Sequence, residues 1–155
     1  MKKILLLGGA MQQIPSIVKA KELGHYVITC DYLPENPGHK LADEYHNVST
    51  IDKAAVLKVA EEIQIDGIVA YASDPAAPTA AYVAEKMGLP GNPLKSVEIL
   101  TQKDLFREFL IQNGFNSPRA QGFSSYEEVL EDIGNFKMPV MVKPVDSSGS
   151  KGVVK

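Results

Sequence analysis

Hydrophobic and polar positions alternate in blocks along the first ninety residues. Residues 4–7 (Ile4-Leu5-Leu6-Leu7) form a short apolar run closed by Gly8-Gly9, the pattern of a strand buried on both faces. Apolar residues at Ile14, Ile17 and Val18, with Lys21 continuing the spacing, predict a helix that stops at Gly24. Pro15 suits its first turn, where the missing N–H costs little. Residues 26–30 read as a second strand ending at Asp31, and Pro34, Pro37 and Gly38 mark a loop. A short strand is expected near residues 46–49. Asp52 is placed to cap a helix with an apolar stripe of Val56, Leu57, Ala60 and Ile63. Residues 67–71 form the next predicted strand, and 76–87 an Ala-rich helix ended by Gly88. Strands and helices alternating over short connections predict an α/β fold with a Rossmann-like, doubly wound parallel sheet.

The pattern changes at Leu89-Pro90-Gly91-Asn92-Pro93. Two prolines and a glycine in five residues read as a junction, dividing the chain into 1–91 and 92–155. Beyond it, helices are predicted over 95–101 and 103–114, the second with Leu105, Phe106, Phe109 and Leu110 on one side. A strand is expected at 119–123. Ser124 with Glu127 has capping-box spacing for a helix carrying Tyr126, Val129, Leu130 and Ile133. Residues 139–143 form an apolar strand, then a Ser/Gly-rich segment leads to Val153-Val154, where another strand begins and the chain stops. An interrupted strand leaves a sheet edge unpaired, so the chain reads as a fragment of a longer protein.

Composition narrows the function. In 155 residues, 16 Lys and Arg stand against 19 Asp and Glu, a net charge of −3. That gives no basic footprint for nucleic acid or an anionic membrane. No apolar run approaches the roughly 20 residues of a spanning helix, and the first one is too short for a signal-peptide core. Cys30 is the only cysteine, which excludes an internal disulfide and a Cys-based metal site and makes the cytoplasm the expected location. His25, His39 and His46 are scattered, so no metal site is expected.

Three segments carry candidate chemistry. Gly8-Gly9-Ala10 joins the first strand to the first helix, and backbone N–H groups at such a turn can hold an anion or a small substrate. The dinucleotide fingerprint G-x-G-x-x-G lacks its second and third glycines here, where Ala10 and Gln13 stand, although Asp31 occupies the place of the ribose-binding acid. Met11, Gln12 and Gln13 stand at the same helix start, where a solvated first turn is the first expectation and contact with a substrate the alternative. Asp74 follows the fourth strand, at the edge where parallel sheets bind ligands; it serves equally as a cap for the next helix. Third, Lys143-Pro144-Val145-Asp146-Ser147-Ser148-Gly149-Ser150-Lys151-Gly152 places small hydroxyl residues and glycines beside a lysine at a strand end. Such a segment can fold over phosphates, or be a plain hairpin loop. It does not fit a Walker loop.

Pro139-Val140-Met141-Val142-Lys143-Pro144, followed by Asp146-Ser147-Ser148-Gly149-Ser150-Lys151-Gly152-Val153, closely resembles the ATP-binding segment of the ATP-grasp superfamily. The form is that of carbamoyl-phosphate synthase large subunits and purine-pathway carboxylate–amine ligases. Thr101-Gln102-Lys103-Asp104-Leu105-Phe106-Arg107 resembles the family's first nucleotide-contacting lysine segment, and the stretch around Asp74 and the linker 88–92 are in its style. The resemblance implies a pre-ATP-grasp domain over 1–91, with Gly9, Ala10 and Asp74 near the non-nucleotide substrate, and the beginning of an ATP-grasp α+β subdomain over 92–155. It implies that Lys103 and Lys143 approach the phosphates of ATP, and that Ser147, Ser148, Gly149, Ser150 and Gly152 belong to the loop that closes over them. The implied reaction activates a carboxylate or bicarbonate as an acyl phosphate for attack by an amine. The family's Mg2+ ligands and adenine-binding acids come later than Lys155, so the chain by itself is expected to be inactive. A homodimer is in keeping with the family. The competing expectations are a stand-alone dinucleotide-binding module, held through Gly8 to Ala10 and Asp31, and a non-catalytic interaction domain.

Overall fold

The computed structural model describes residues 1–147, 149 and 152–155. The chain folds as two compact units, Met1–Val97 and Glu98–Lys155.

The first unit is built on a four-stranded sheet of β1 (Lys3–Leu7), β2 (Tyr26–Cys30), β3 (Glu44–His46) and β4 (Gly67–Val69). The order is β3-β2-β1-β4 and every pairing is parallel. Three helices accompany it: α1 (Ile14–Glu22), α2 (Lys53–Ile63) and α3 (Ala77–Met87). The sheet and its α/β character are those the sequence pattern predicts. Alternate residues of a strand face opposite sides, and the core divides accordingly. Leu5, Leu7, Ile28 and Cys30 pack with Val56, Val59, Ala60 and Val83 of α2 and α3. Leu6 and Val27 pack with Ile17 of α1 on the other side. Burial of this apolar surface is the main term holding the unit together.

Local chemistry sets the element ends. Asp52 Oδ1 accepts from the N–H of Ala55, 3.0 Å away, capping α2. Gly88 ends α3 at φ +64, a left-handed position natural for glycine. Two strand predictions move: β3 lies at Glu44–His46 rather than 46–49, and β4 stops at Val69 rather than residue 71. The loop marked by prolines holds a 3₁₀ turn at Pro37–Lys40.

The second unit contains the latter half of α4 (Leu94–Thr101), then α5 (Lys103–Gln112) and α6 (Tyr126–Asp132). The strand expected at 119–123 is absent: those residues are irregular, and Arg119 instead donates to the Asn135 carbonyl and stacks on Phe136 at 4.5 Å. The cap of α6 is Ser125, one residue beyond the expected Ser124; its Oγ accepts from the N–H of Glu128. Glu128 also accepts from the N–H of Ser124 at 2.8 Å, one residue before the cap, so the return bond reaches a residue further than in a capping box. The expected strand at 139–143 is reduced to one antiparallel bridge, in which Val142 and Val154 exchange N–H···O bonds of 2.8 and 2.9 Å.

Candidate functional site

In the first unit, the strand order places the ends of β1 and β4 side by side while the chain leaves them in different directions. Open parallel sheets form their ligand crevices at such a switch point. The β1 side is the Gly8-Gly9-Ala10 turn. Gly8 has φ +104 and donates to the Cys30 carbonyl at 2.8 Å. The N–H of Gly9 donates to Asp31 Oδ2 at 3.0 Å. The same carboxylate accepts from Asn36 Nδ2 at 2.8 Å and from the N–H of Leu33 at 3.1 Å. Asp31 is 7% exposed. The residue in the place of a ribose-binding acid therefore ties its own loop to the glycine turn, which leaves little for a dinucleotide to claim.

The space over Gly9 is filled as well. A Cβ there would lie 2.1 Å from Cε1 of His39. The His39 ring is held by Thr29 Oγ1 at 2.9 Å and the Leu33 carbonyl at 3.1 Å, and it stacks on Tyr45 with centroids 4.0 Å apart. Tyr45 in turn donates its hydroxyl to the Asp31 carbonyl at 2.9 Å. Burial, then the nearby Asp31 charge, raises the Tyr45 phenol above its ordinary value, so it stays a donor. Gly38 is needed for the same packing: a Cβ there would meet the Gly9 carbonyl at 2.7 Å. The sequence signals for this lid of side chains are faint, since a histidine in a Pro-Gly loop has no characteristic spacing.

On the β1 side, Ala10 is half-buried and Met11 exposed. From the β4 side come Tyr71, Ala72 and Asp74. Asp74 is exposed in the first turn of a 3₁₀ segment, Asp74–Ala76. The capping role expected for it does not form: neither Ser73 nor Ala76, at the two helix starts, makes a side-chain cap, and the acid is exposed to solvent. Between the two sides lies Gln13, whose Nε2 donates to the Tyr71 carbonyl at 3.0 Å and lies 3.5 Å from that of Ala72.

In the second unit, the structure brings Lys103 to the segment before the Ser/Gly-rich stretch. The Lys103 N–H donates to the Val145 carbonyl at 3.0 Å, and its Nζ donates to the carbonyls of Val145 at 3.2 Å and Ser147 at 2.5 Å. Lys143 is exposed two residues before Val145. Gly149 and Gly152 adopt φ +66 and +70. Ser148 and Ser150, expected in the phosphate loop, lie outside the described residues. Among the described residues no three His, Cys, Asp or Glu side chains gather as metal ligands, and no helix is long and apolar enough to cross a membrane.

No family model matches the chain. A curated relative, formate-dependent phosphoribosylglycinamide formyltransferase of Chlorobium phaeobacteroides, is 28% identical over 153 residues, covering 97% of this chain and 39% of its own length. The chain thus spans about two-fifths of the curated relatives it matches. N5-carboxyaminoimidazole ribonucleotide synthetase from Thermotoga maritima is similar in structure, with TM-score 0.74 and 25% identity over 99% of this chain and 40% of that one. The Staphylococcus aureus N5-carboxyaminoimidazole synthetase, solved with ADP, shares the fold at TM-score 0.78 and 19% identity, over the same shares of each chain. Sequence and fold together make this chain a relative of the amino-terminal part of ATP-grasp ligases.

Proposed function

We propose that the chain supplies the substrate crevice and the first nucleotide-side lysines of an ATP-dependent carboxylate–amine, or bicarbonate–amine, ligase. The observation that carries this reading is likeness along 97% of the chain to an enzyme that formylates phosphoribosylglycinamide. In this reading the ends of β1 and β4 receive the non-nucleotide substrate, a small amine or carboxylate, with Ala10 as the close backbone approach and Asp74 as the charge at the mouth. An exposed carboxylate there suits a protonated amine and orients it. The Gly9 N–H holds the turn through Asp31 rather than meeting the substrate itself.

The second unit fits phosphates better than it fits a metal. ATP supplies the phosphoryl group that activates a carboxylate. Among the described residues no carboxylate cluster gathers at Lys103 or Lys143, and their charges suit phosphate oxygens. Phosphoryl transfer depends on such positioning and charge neutralisation. Lys103 already bonds two carbonyls, so it holds the start of the Ser/Gly-rich stretch in place and has one Nζ proton left for a phosphate oxygen. Mg2+ prefers carboxylates together with phosphate oxygens, and the described residues gather no such carboxylates.

The test is an NMR titration of the 15N-labelled 155-residue chain with phosphoribosylglycinamide and, separately, Mg-ATP. The first is expected to shift Ala10 and residues 71–76, the second Lys103 and residues 143–147. Shifts produced instead by NAD around Gly8 to Asp31, or by none of the three at millimolar ligand, overturn the reading.

A further inference from the structure

Gln13 stands where the dinucleotide fingerprint has its third glycine, and it is not a passive replacement. Its side chain is only 6% exposed although it ends in a primary amide. A buried amide needs partners, and it finds them across the crevice in the carbonyls of Tyr71 and Ala72. Gly8 makes room for it: a Cβ on Gly8 would lie 3.1 to 3.2 Å from Cδ, Cγ and Oε1 of Gln13. The carbonyl acceptors belong to an unusual stretch. Ala72 has φ +51, a left-handed conformation that alanine rarely adopts. Such a residue persists only where its surroundings determine it, and Gln13 is the side chain that reaches it from another element. Asp74 follows two residues later.

We propose that Gln13 is a positioning residue: its amide straps residues 71–72 to the β1 turn and thereby presents Asp74 to the substrate at the crevice mouth. The inference rests on the reading that this crevice takes the non-nucleotide substrate. Glycine at position 13 would open the turn to a pyrophosphate and release the β4 loop. Glutamine does the reverse, so the substitution changes what the turn can bind as well as how firmly it is held.

The experiment compares the full chain with Gln13→Met and Gln13→Glu, using backbone order parameters for residues 71–74 and the affinity for phosphoribosylglycinamide. In the unaltered chain residues 71–74 are expected at about 0.85, falling below about 0.6 in Gln13→Met. The affinity should drop at least tenfold, as it should in Asp74→Asn. Gln13→Glu separates strapping from space-filling. Its carboxyl carries a single O–H, and only when protonated, so order at 71–74 should be partly kept in acid and fall as the group ionises, while Gln13→Met shows no such step. Order retained at 71–74 in Gln13→Met overturns the strap. Loosening without weaker binding overturns the positioning role. If phosphoribosylglycinamide shifts nothing in the unaltered chain, the site reading falls and the positioning role with it, even where the order parameters behave as expected.

Discussion

Gly9 and His39 decide what the first turn can do. The histidine ring occupies the volume that any side chain at position 9 would need, and Thr29, Leu33 and Tyr45 keep it there. Gly9→Ala must therefore push a ring that is held on three sides. Thermal or urea unfolding should show a loss of about 1–3 kcal/mol. In a His39→Ala background the same change should cost clearly less, giving a coupling of about 0.5–3 kcal/mol. Additive effects of the two changes would contradict the packing described. At this scale the sequence is legible only in part. Gly8-Gly9 and Asp31 stand out by spacing, but the spacing suggests a ligand for Asp31, whereas the fold uses it within the loop. Nothing in the order of residues announces that Asn36 and the N–H of Leu33 will converge on that carboxylate. Lys103 is legible through its resemblance to a family motif, although its bonds to Val145 and Ser147 span more than forty residues of chain.

At the scale of elements, local rules work where local chemistry is unopposed. Asp52 is the clearest case, since the cap forms with the predicted residue. Asp52→Ala should lower stability by about 1 kcal/mol, and Asp52→Ser should recover most of it, read as unfolding midpoints. No difference between the two variants would mean that the cap contributes nothing. The cap of α6 falls one residue from its expected place because Ser124 and Ser125 offer the same hydroxyl, and Glu127 and Glu128 the same partner. The choice between two equivalent boxes rests on the chain's entry direction, which spacing does not encode. The missing strand at 119–123 has a different cause. Arg119 has partners of its own at Asn135 and Phe136, and strand formation needs a neighbouring strand that no local pattern can supply.

At the scale of the molecule, the two units differ in kind. Every buried residue described lies in the first, from Leu5 to Ala84. The helices α4, α5 and α6 bury none, and Phe109, Phe115 and Tyr126 are exposed. Cys30 makes the contrast measurable. Burial, with Asp31 and Glu44 nearby, pushes its thiol up to about 12, and the thiolate is the reactive form. At neutral pH it should react with a thiol reagent at least about a thousandfold more slowly than in the unfolded chain, where a thiol titrates near its ordinary value. Amides of α5 and α6 should meanwhile exchange well before those of β1 and β2. Prompt labelling of Cys30, or equal protection in both units, would contradict this division.

The position of β1 in the sheet also sets an order in time. It is made before either of its partners and becomes a central strand, paired on one side with β2 and on the other with β4. The first partner lies about twenty residues further along the chain, the second some sixty. Closing the longer loop costs more entropy before any contact rewards it. During synthesis, β1 and β2 can meet while β4 is still unmade, leaving Ile4 and Leu6 at a raw sheet edge. The Lys3 backbone, which exchanges bonds with Asp66 in the finished unit, is then the last seam to close.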